Sequence, residues 1–382
     1  MPAFPHRVRS AKPQDVGGAS EGNRLTLFTE GDEAFAVAYE AIQQAEQRVW
    51  LEMYILEPDE VGRQAVEALA EAARRGCDVI LLFDRFGSAR FRARHAAPIR
   101  KAGGRVALYN PFFPWRKSGR KIAPLFHRDH RKILIVDDVG FTGGRNISVE
   151  YGGAGPEQFY DLTLRLEGPC VRDLASVLLD SLYSATRRIP LLPPRSAALP
   201  GGVYVDVLEL NARAKERDLD RGIYDLIEKA QDHCYVVTPY FIPPAWFCRA
   251  LIDAKHRGVD VRVLTAGRSD VPHASIAGRH LYGGLLASGI LIYEMQRPTL
   301  HAKYLTIDSH HSIIGSYNVD QFGGKHNLEV GVAVRDPELA RTLEAEFFAG
   351  LERSEERTYA AWKRRPWYTR LFQWLLYQFA RL

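Results

Sequence analysis

Two short stretches hold the residues with the greatest chemical capacity. His130-Arg-Lys132-Ile-Leu-Ile-Val-Asp137 is followed by Gly143-Gly-Arg-Asn146, and His301-Ala-Lys303-Tyr-Leu-Thr-Ile-Asp308 by Gly315-Ser-Tyr-Asn318. Both read H-x-K-x4-D and then G-[GS]-x-N, with five residues between Asp and Gly in the first copy and six in the second. In an extended chain, residues two apart share a face, so each His projects beside its Lys. The apolar residues that follow carry the strand into a core. Gly143 and Gly315 suit a tight turn or a close backbone approach. Asn146 and Asn318 then offer amide donors beside the His-Lys pair. Two histidines and two lysines converging on one point make a phosphate site with acid–base capacity. The lysines and amides neutralise non-bridging oxygens. One imidazole attacks phosphorus while the other donates a proton, and a phosphoryl–histidine intermediate splits one hard displacement into two easier ones. Lysine charge does the work of a metal here, and the chain has no H-E-x-x-H and no calcium loop, so no metal and no cofactor are expected. The candidate catalytic set is His130, Lys132, Asp137, His301, Lys303 and Asp308. Within it, Asp137 and Asp308 end their strands and are expected to hold turns or pair with a basic group rather than move protons.

An imidazole in such a role needs a partner on its other ring nitrogen to fix tautomer and orientation. Asp161 opens Asp-Leu-Thr-Leu-Arg-Leu-Glu-Gly-Pro169, and Glu329 opens Glu-Val-Gly-Val-Ala-Val-Arg-Asp-Pro337. Both begin alternating strands that end at a proline and occupy matching places, which makes them the candidate partners. The competing reading is strand-start acids that face solvent. His95, His233 and His256 lack such a context and read as ordinary surface or packing residues.

The elements that position these motifs repeat. Ala68-Leu-Ala-Glu-Ala-Ala-Arg-Arg-Gly-Cys-Asp-Val79 is echoed by Ala250-Leu-Ile-Asp-Ala-Lys-His-Arg-Gly-Val-Asp-Val261. Tyr39 to Ala45 is echoed by Tyr224 to Ala230, and Ala102 to Tyr109 by Ala287 to Tyr293. Gly76 and Gly258 sit where left-handed helix caps belong. Each half alternates helices with apolar, β-branched strands, the pattern of an α/β sheet covered by helices on both faces. The expected organisation is a disordered lead-in (1–22), a first domain (23–188), a Pro-rich linker (189–202), a second domain (203–352) and a tail (353–382).

The 382 residues are 46% hydrophobic and 25% charged, which excludes a mainly disordered chain. The four cysteines are widely spaced and form no C-x-x-C, arguing against a zinc ribbon or disulfide scaffold and for a reducing compartment. No apolar run is long enough to span a membrane, and the first 22 residues lack the apolar core of a signal peptide. The net charge is +5, yet the segment from Arg357 onward holds six basic residues and no acidic one. The body is therefore near neutral, which argues against binding nucleic acid over its whole surface. If 367–382 is helical, Leu371, Trp374, Leu375, Phe379 and Leu382 share an apolar face opposite Thr369, Arg370, Gln373 and Arg381, as in a helix lying on an anionic membrane. Docking of that helix on the protein's own core is the competing reading. Pro111-Phe-Phe-Pro-Trp-Arg-Lys-Ser-Gly-Arg-Lys121 and Tyr240-Phe-Ile-Pro-Pro-Ala-Trp246 are candidate walls for lipid chains.

The paired motifs resemble those of the phospholipase D superfamily, and within it bacterial cardiolipin synthases of the shorter B type. The similarity runs from about Asn23 to Phe348 and includes Leu51-Glu-Met-Tyr-Ile55, His127-Arg-Asp-His-Arg-Lys132, Thr142-Gly-Gly-Arg-Asn146, Thr238-Pro-Tyr-Phe241, Leu300-His-Ala-Lys303 and Asn327-Leu-Glu329. The chain departs after Asp320, where the family often continues Arg-Ser and here Gln321-Phe-Gly-Gly324 follows. The resemblance implies two pseudo-symmetric phospholipase D-like domains, each a mixed sheet flanked by helices, packed edge-to-face or side by side around one site at their interface. It implies that one of His130 and His301 attacks phosphorus and the other protonates the leaving alcohol, with His130 favoured as nucleophile. Lys132, Lys303, Asn146 and Asn318 would bind phosphate, and Asp161 and Glu329 orient the histidines. The implied reaction moves a phosphatidyl group from phosphatidylglycerol to a second phosphatidylglycerol and releases glycerol; phosphatidylethanolamine is an alternative substrate. The implied place is peripheral, on the cytoplasmic face of the bacterial inner membrane. Phospholipid hydrolysis and a nuclease or other phosphodiesterase activity share the motifs and remain the alternatives.

Overall fold

The computed structural model describes residues 8–9, 11–13, 16–110, 126–153 and 157–380. The candidate wall at 111–121 lies outside the described residues, as do Arg381 and Leu382. In the first half the principal elements are β1 (Gly18–Phe28), α1 (Gly31–Gln44), β2 (Arg48–Met53), α2 (Glu60–Arg75), β3 (Asp78–Asp84), β4 (Arg105–Tyr109), β5 (Ile133–Val136), β6 (Val139–Gly143), β7 (Thr163–Glu167) and α3 (Cys170–Thr186). The second half repeats them as β8 (Val203–Asn211), α4 (Asp218–Lys229), β9 (His233–Thr238), α5 (Ala245–His256), β10 (Asp260–Ala266), α6 (Pro272–Gly278), β11 (Leu291–Met295), β12 (Tyr304–Ile307), β13 (His311–Gly315), α7 (Gln321–His326), β14 (Asn327–Arg335) and α8 (Pro337–Leu351). A last helix, α9, spans Trp367–Ala380.

Both sheets have one topology. The spatial order is β4-β3-β2-β5-β6-β7-β1 in the first and β11-β10-β9-β12-β13-β14-β8 in the second. The first three strands of each order are parallel and the rest antiparallel. Parallel strands need long crossovers, and the repeated α2 and α5 supply them. The halves join side by side, because β1 continues past its own sheet and pairs antiparallel with β8. Alternate residues serve two layers, as the two-residue strand period requires. Val49, Leu51, Val79 and Leu81 pack outward under α1 and α2, while Trp50, Ile80 and Leu82 pack inward. The inward layers of both halves merge around α3, whose Leu174, Leu178 and Leu182 meet Val205 and Val330 of the second half. Such a shared core binds the halves into one body.

The structure moves three expected boundaries. Val8–Arg9 pairs with Ile189–Pro190, and β1 starts at Gly18, inside the expected disordered lead-in. Backbone pairing, the Gly17 amide, which donates to Ser176 Oγ at 2.9 Å, and Val16, packed against the core, order this polar stretch. The Pro-rich 189–202 segment is tied down as well, by the Arg195–Asp173 ion pair at 2.6 Å. At the far end, Ser354–Glu356 adds an edge strand to β11, Arg357 binds buried Glu294, and Trp362 is buried against Tyr282. Residues 353–365 thus belong to the second half, and α9 packs on it as well, against α6, with the Tyr377 ring 4.9 Å from His280 and its hydroxyl accepting from Gln321 Nε2 at 2.9 Å.

Candidate active site

Each H-x-K tripeptide sits just ahead of its strand, since β5 begins at Ile133 and β12 at Tyr304. The reason is that its backbone pairs with the opposite half. Arg128–Asp129 runs parallel to Asn327–Leu328, and the His130 amide donates to Leu328 O at 3.0 Å. Thr299–Leu300 runs parallel to Phe159–Tyr160, and the His301 amide donates to Tyr160 O at 2.8 Å. Each crossing segment leads directly into an acid. His130 Nδ1 lies 3.0 Å from Glu329 Oε2, and His301 Nδ1 lies 2.5 Å from Asp161 Oδ2. The imidazoles are therefore oriented by carboxylates from the other half, and all four residues are buried.

Electrostatics set the resting protonation. Burial pulls His130 down from its ordinary value and Glu329 pulls it back only in part. Burial, then Lys303, lowers His301 to about 4. Burial alone would raise Asp161, but Lys303 and His301 outweigh it and hold the carboxyl below its usual range. In the same way His130 and Lys132 overcome burial at Glu329. Neutral imidazoles facing carboxylates donate from Nδ1, which leaves the Nε2 lone pair free for chemistry. Lys132 falls to about 7 through burial and then through Lys303, and Lys303 falls to about 8 through burial. Lys132 Nζ donates to His130 O at 2.6 Å and stands 5.2 Å from the Tyr54 ring. Lys303 Nζ lies 2.6 Å from His301 Nδ1 and donates to the His301 carbonyl.

The glycines of G-[GS]-x-N have steric causes. A Cβ at Gly143 would lie 2.2 Å from Leu162 O, and one at Gly315 2.1 Å from Val330 O. At the next position a Cβ on Gly144 would strike Asp161 Oδ1 at 2.3 Å, whereas Ser316 uses its hydroxyl to donate to Glu329 Oε2 at 2.5 Å. Asn146 donates to Tyr151 Oη at 2.8 Å, and that hydroxyl stands 3.3 Å from His301 Nε2. Asn318 is buried with its side-chain oxygen unpartnered, and its backbone carbonyl accepts from Thr238 Oγ1 at 2.5 Å. Asp137 and Asp308 do not join the site. Asp137 accepts the amides of Glu46, Gln47 and Arg48 at 2.7–2.9 Å, and Asp308 those of Gln231, Asp232 and His233 at 2.8–3.0 Å. They anchor the starts of β2 and β9, at the far ends of β5 and β12.

A family model described as "Cardiolipin synthase, PLD-like domain" matches residues 39–154 and 223–350. The chain belongs to this family of phospholipase D-like cardiolipin synthases. It is a phosphatidyltransferase acting on phospholipids, the reaction class of its relatives. Cardiolipin synthase B of Escherichia coli (strain K12) is 31% identical over 332 residues, covering 85% of this chain and 79% of that protein. A probable cardiolipin synthase of Bacillus subtilis (strain 168) is 31% identical over 341 residues, covering 87% of this chain and 67% of the other. Among solved structures, a phosphatidylserine synthase of Haemophilus influenzae Rd KW20 superposes with a TM-score of 0.71 at 16% identity, covering 94% of this chain and 93% of that one, and shows the shared fold.

Several residues of this family site escaped the sequence. Arg131, the middle residue of the first H-x-K, is wholly buried. It donates to Glu329 O at 3.2 Å, Val177 O at 3.1 Å, Ser181 Oγ at 2.9 Å and Glu209 Oε2 at 2.8 Å. Its guanidinium thereby braces the backbone that carries the orienting acid of His130. The other copy has Ala302 in this place, an asymmetry visible in the repeat. Rings close around the imidazoles: Tyr54 at 4.7 Å from His130, and Tyr151, Phe159 and Tyr240 at 5.2, 5.6 and 6.4 Å from His301. Of the expected wall at 240–246, Tyr240 flanks the site, while Phe241 and Ile242 are buried.

Proposed function

We propose that the protein makes cardiolipin by moving a phosphatidyl group from one phosphatidylglycerol to the terminal hydroxyl of another. In the first step the Nε2 lone pair of His130 attacks phosphorus. The P–O bond to the glycerol headgroup breaks, and the departing alkoxide takes a proton from the His301 imidazolium, which the diester's negative charge favours. In the second step neutral His301 takes the proton of an incoming lipid hydroxyl. That oxygen attacks phosphorus and releases His130. Lys132 and Lys303, with Asn318 beside them, hold the non-bridging oxygens, and Asp161 and Glu329 keep each imidazole in its working tautomer. The observation that supports this reading is the pair of crossed His–carboxylate contacts, each with a buried lysine beside its histidine.

The substrate arrives in a membrane. Among the described residues no helix is long and apolar enough to cross one. Helix α9 instead buries Gln373 against the protein and leaves Trp367, Tyr368, Phe372 and Phe379 more than half exposed. Exposed aromatics beside Arg364 and Arg370 suit the headgroup layer of an anionic leaflet, consistent with peripheral placement on the cytoplasmic face of a bacterial inner membrane. The test is incubation of the purified protein with phosphatidylglycerol, alone and with phosphatidylethanolamine, followed by mass spectrometry. Free glycerol and a four-chain lipid support transfer between phosphatidylglycerols. Free ethanolamine would assign the second lipid to phosphatidylethanolamine as donor. Phosphatidic acid alone would make the protein a hydrolase. Cleavage of single-stranded DNA without a lipid product would overturn the lipid reading.

A further inference from the structure

The pseudo-twofold relation fails at one place in the chamber. In the first half the parallel strand β3 ends in Asp84, which is fully buried and committed: it accepts the amides of Phe86, Gly87 and Asp129 at 2.7, 3.1 and 3.1 Å. The matching strand β10 ends in Ala266, and its acid comes four residues later, at Asp270. Asp270 is exposed, just ahead of α6. Tyr240 donates its hydroxyl to both carboxylate oxygens at 2.7 Å, and the Tyr240 ring stands edge-on to His301 at 6.4 Å. The Tyr240 side chain thus links the carboxylate to the edge of the His301 pocket. Its field reaches the catalytic groups, since it opposes the lowering of both His301 and Lys303.

A carboxylate beside a phosphate-binding chamber repels the diester itself. It is useful only to a part of the ligand that donates hydrogen bonds. Each carboxylate oxygen has two lone-pair positions, so Tyr240 leaves acceptor capacity unused. The tyrosine also fixes the carboxylate's direction, and fixing it in advance lowers the ordering cost of binding. The His130 side has no exposed counterpart in the matching loop, because Asp84 is spent on backbone amides.

We infer that Asp270, held by Tyr240, is the recognition point for the hydrogen-bond-donating headgroup of the alcohol that His301 serves, a glycerol diol or an ethanolamine ammonium. This rests on the proposed transfer reaction and adds which residue selects the alcohol. Asp270 is a specificity residue: it grips the alcohol end while the lysines grip phosphate.

The test compares Asp270→Asn, Asp270→Glu and Tyr240→Phe with the wild type. The substrates are phosphatidylglycerol in mixed micelles, with and without phosphatidylethanolamine, and bis(4-nitrophenyl) phosphate, whose leaving group donates no hydrogen bond. The readout is the ratio of kcat/KM on the lipid to that on the chromogenic diester, together with the partition between transfer and hydrolysis. Losing a hydrogen bond to a charged acceptor should lower that ratio about tenfold in D270N and raise the share of phosphatidic acid. D270E should recover part of it. A loss seen with phosphatidylglycerol alone identifies the diol, and one confined to mixtures identifies the ammonium. An unchanged ratio, including an equal fall on both substrates, overturns the inference. Should the wild type cleave the chromogenic diester but no lipid, the transfer reading fails by itself. Asp270 is then read from glycerol added as acceptor, where D270N must still lower the yield of glycerol ester relative to hydrolysis.

Discussion

Replacing Glu329 by Gln tests the crossed geometry most directly. The change keeps size and removes only charge. Glu329 accepts from Ser316 and from Asn327 Nδ2 at 3.0 Å as well as facing His130, so an amide retains part of the local network. What it loses is the charged partner of His130 Nδ1, which matters most when the imidazole becomes positive on attack. A hydrogen bond to a charged group contributes about 1.5–3 kcal/mol. At about 1.4 kcal/mol per tenfold, kcat should fall roughly 10- to 150-fold with little change in KM. The charge also has a sign that can be followed. Glu329 raises the His130 pKa against burial, so E329Q should lower it further and move the acid limb of the rate profile to lower pH. Glycerol release from phosphatidylglycerol micelles gives the rates, and histidine NMR gives the two titrations. The partners lie 199 residues apart in the chain, and the other pair 140. An E329Q protein with unchanged kcat refutes the reasoning. So does one in which the His301 resonances move while those of His130 stay.

Three further outcomes are expected. In the proposed mechanism the lysines hold phosphate as ammonium ions, and burial pulls Lys132 down to about 7 and Lys303 to about 8; kcat/KM should therefore decline as pH rises through that window, and Lys132→Arg, which does not titrate, should flatten the decline in a pH–rate series. Arg131→Met leaves buried Glu209 without its 2.8 Å partner and should cost about 3–5 kcal/mol in urea unfolding, part of it regained in Arg131→Met/Glu209→Gln. Changing Trp367, Phe372 and Phe379 together to Ser should weaken sedimentation with anionic vesicles by well over tenfold, given about 1.5–3 kcal/mol per fully buried large side chain, while turnover of a short-chain monomeric substrate persists; equal sedimentation would remove α9 from the membrane reading.

Much of the fold is legible because its signals are local. Helix caps, alternating strands and a repeated Arg-Gly turn are written within a dozen residues, and α2 does end on left-handed Gly76 at φ 100°. The H-x-K-x4-D copies were legible for the same reason, down to the turn-holding role of Asp137. What stayed hidden is long-range. Nothing near His130 says that its acid comes from β14 rather than β7. Arg131 carried no signal of its own, because its partners come from α3, β8 and β14. The polar run before Asn23 looked unstructured, since backbone pairing and a single packed Val16 leave no apolar period to read. Ser354–Glu356 was hidden likewise: a short acidic edge strand has no hydrophobic period to read.

The exchange of partners across the seam has an evolutionary consequence. Severed within residues 189–202, either fragment would keep an imidazole and forfeit the acid that steers it. Activity should then return only on reassembly of the two, so selection acts on the fused pair rather than on each copy. A mutation that loosens the seam should disable both proton-handling centres at once, which leaves little room for one copy to drift while the other carries on.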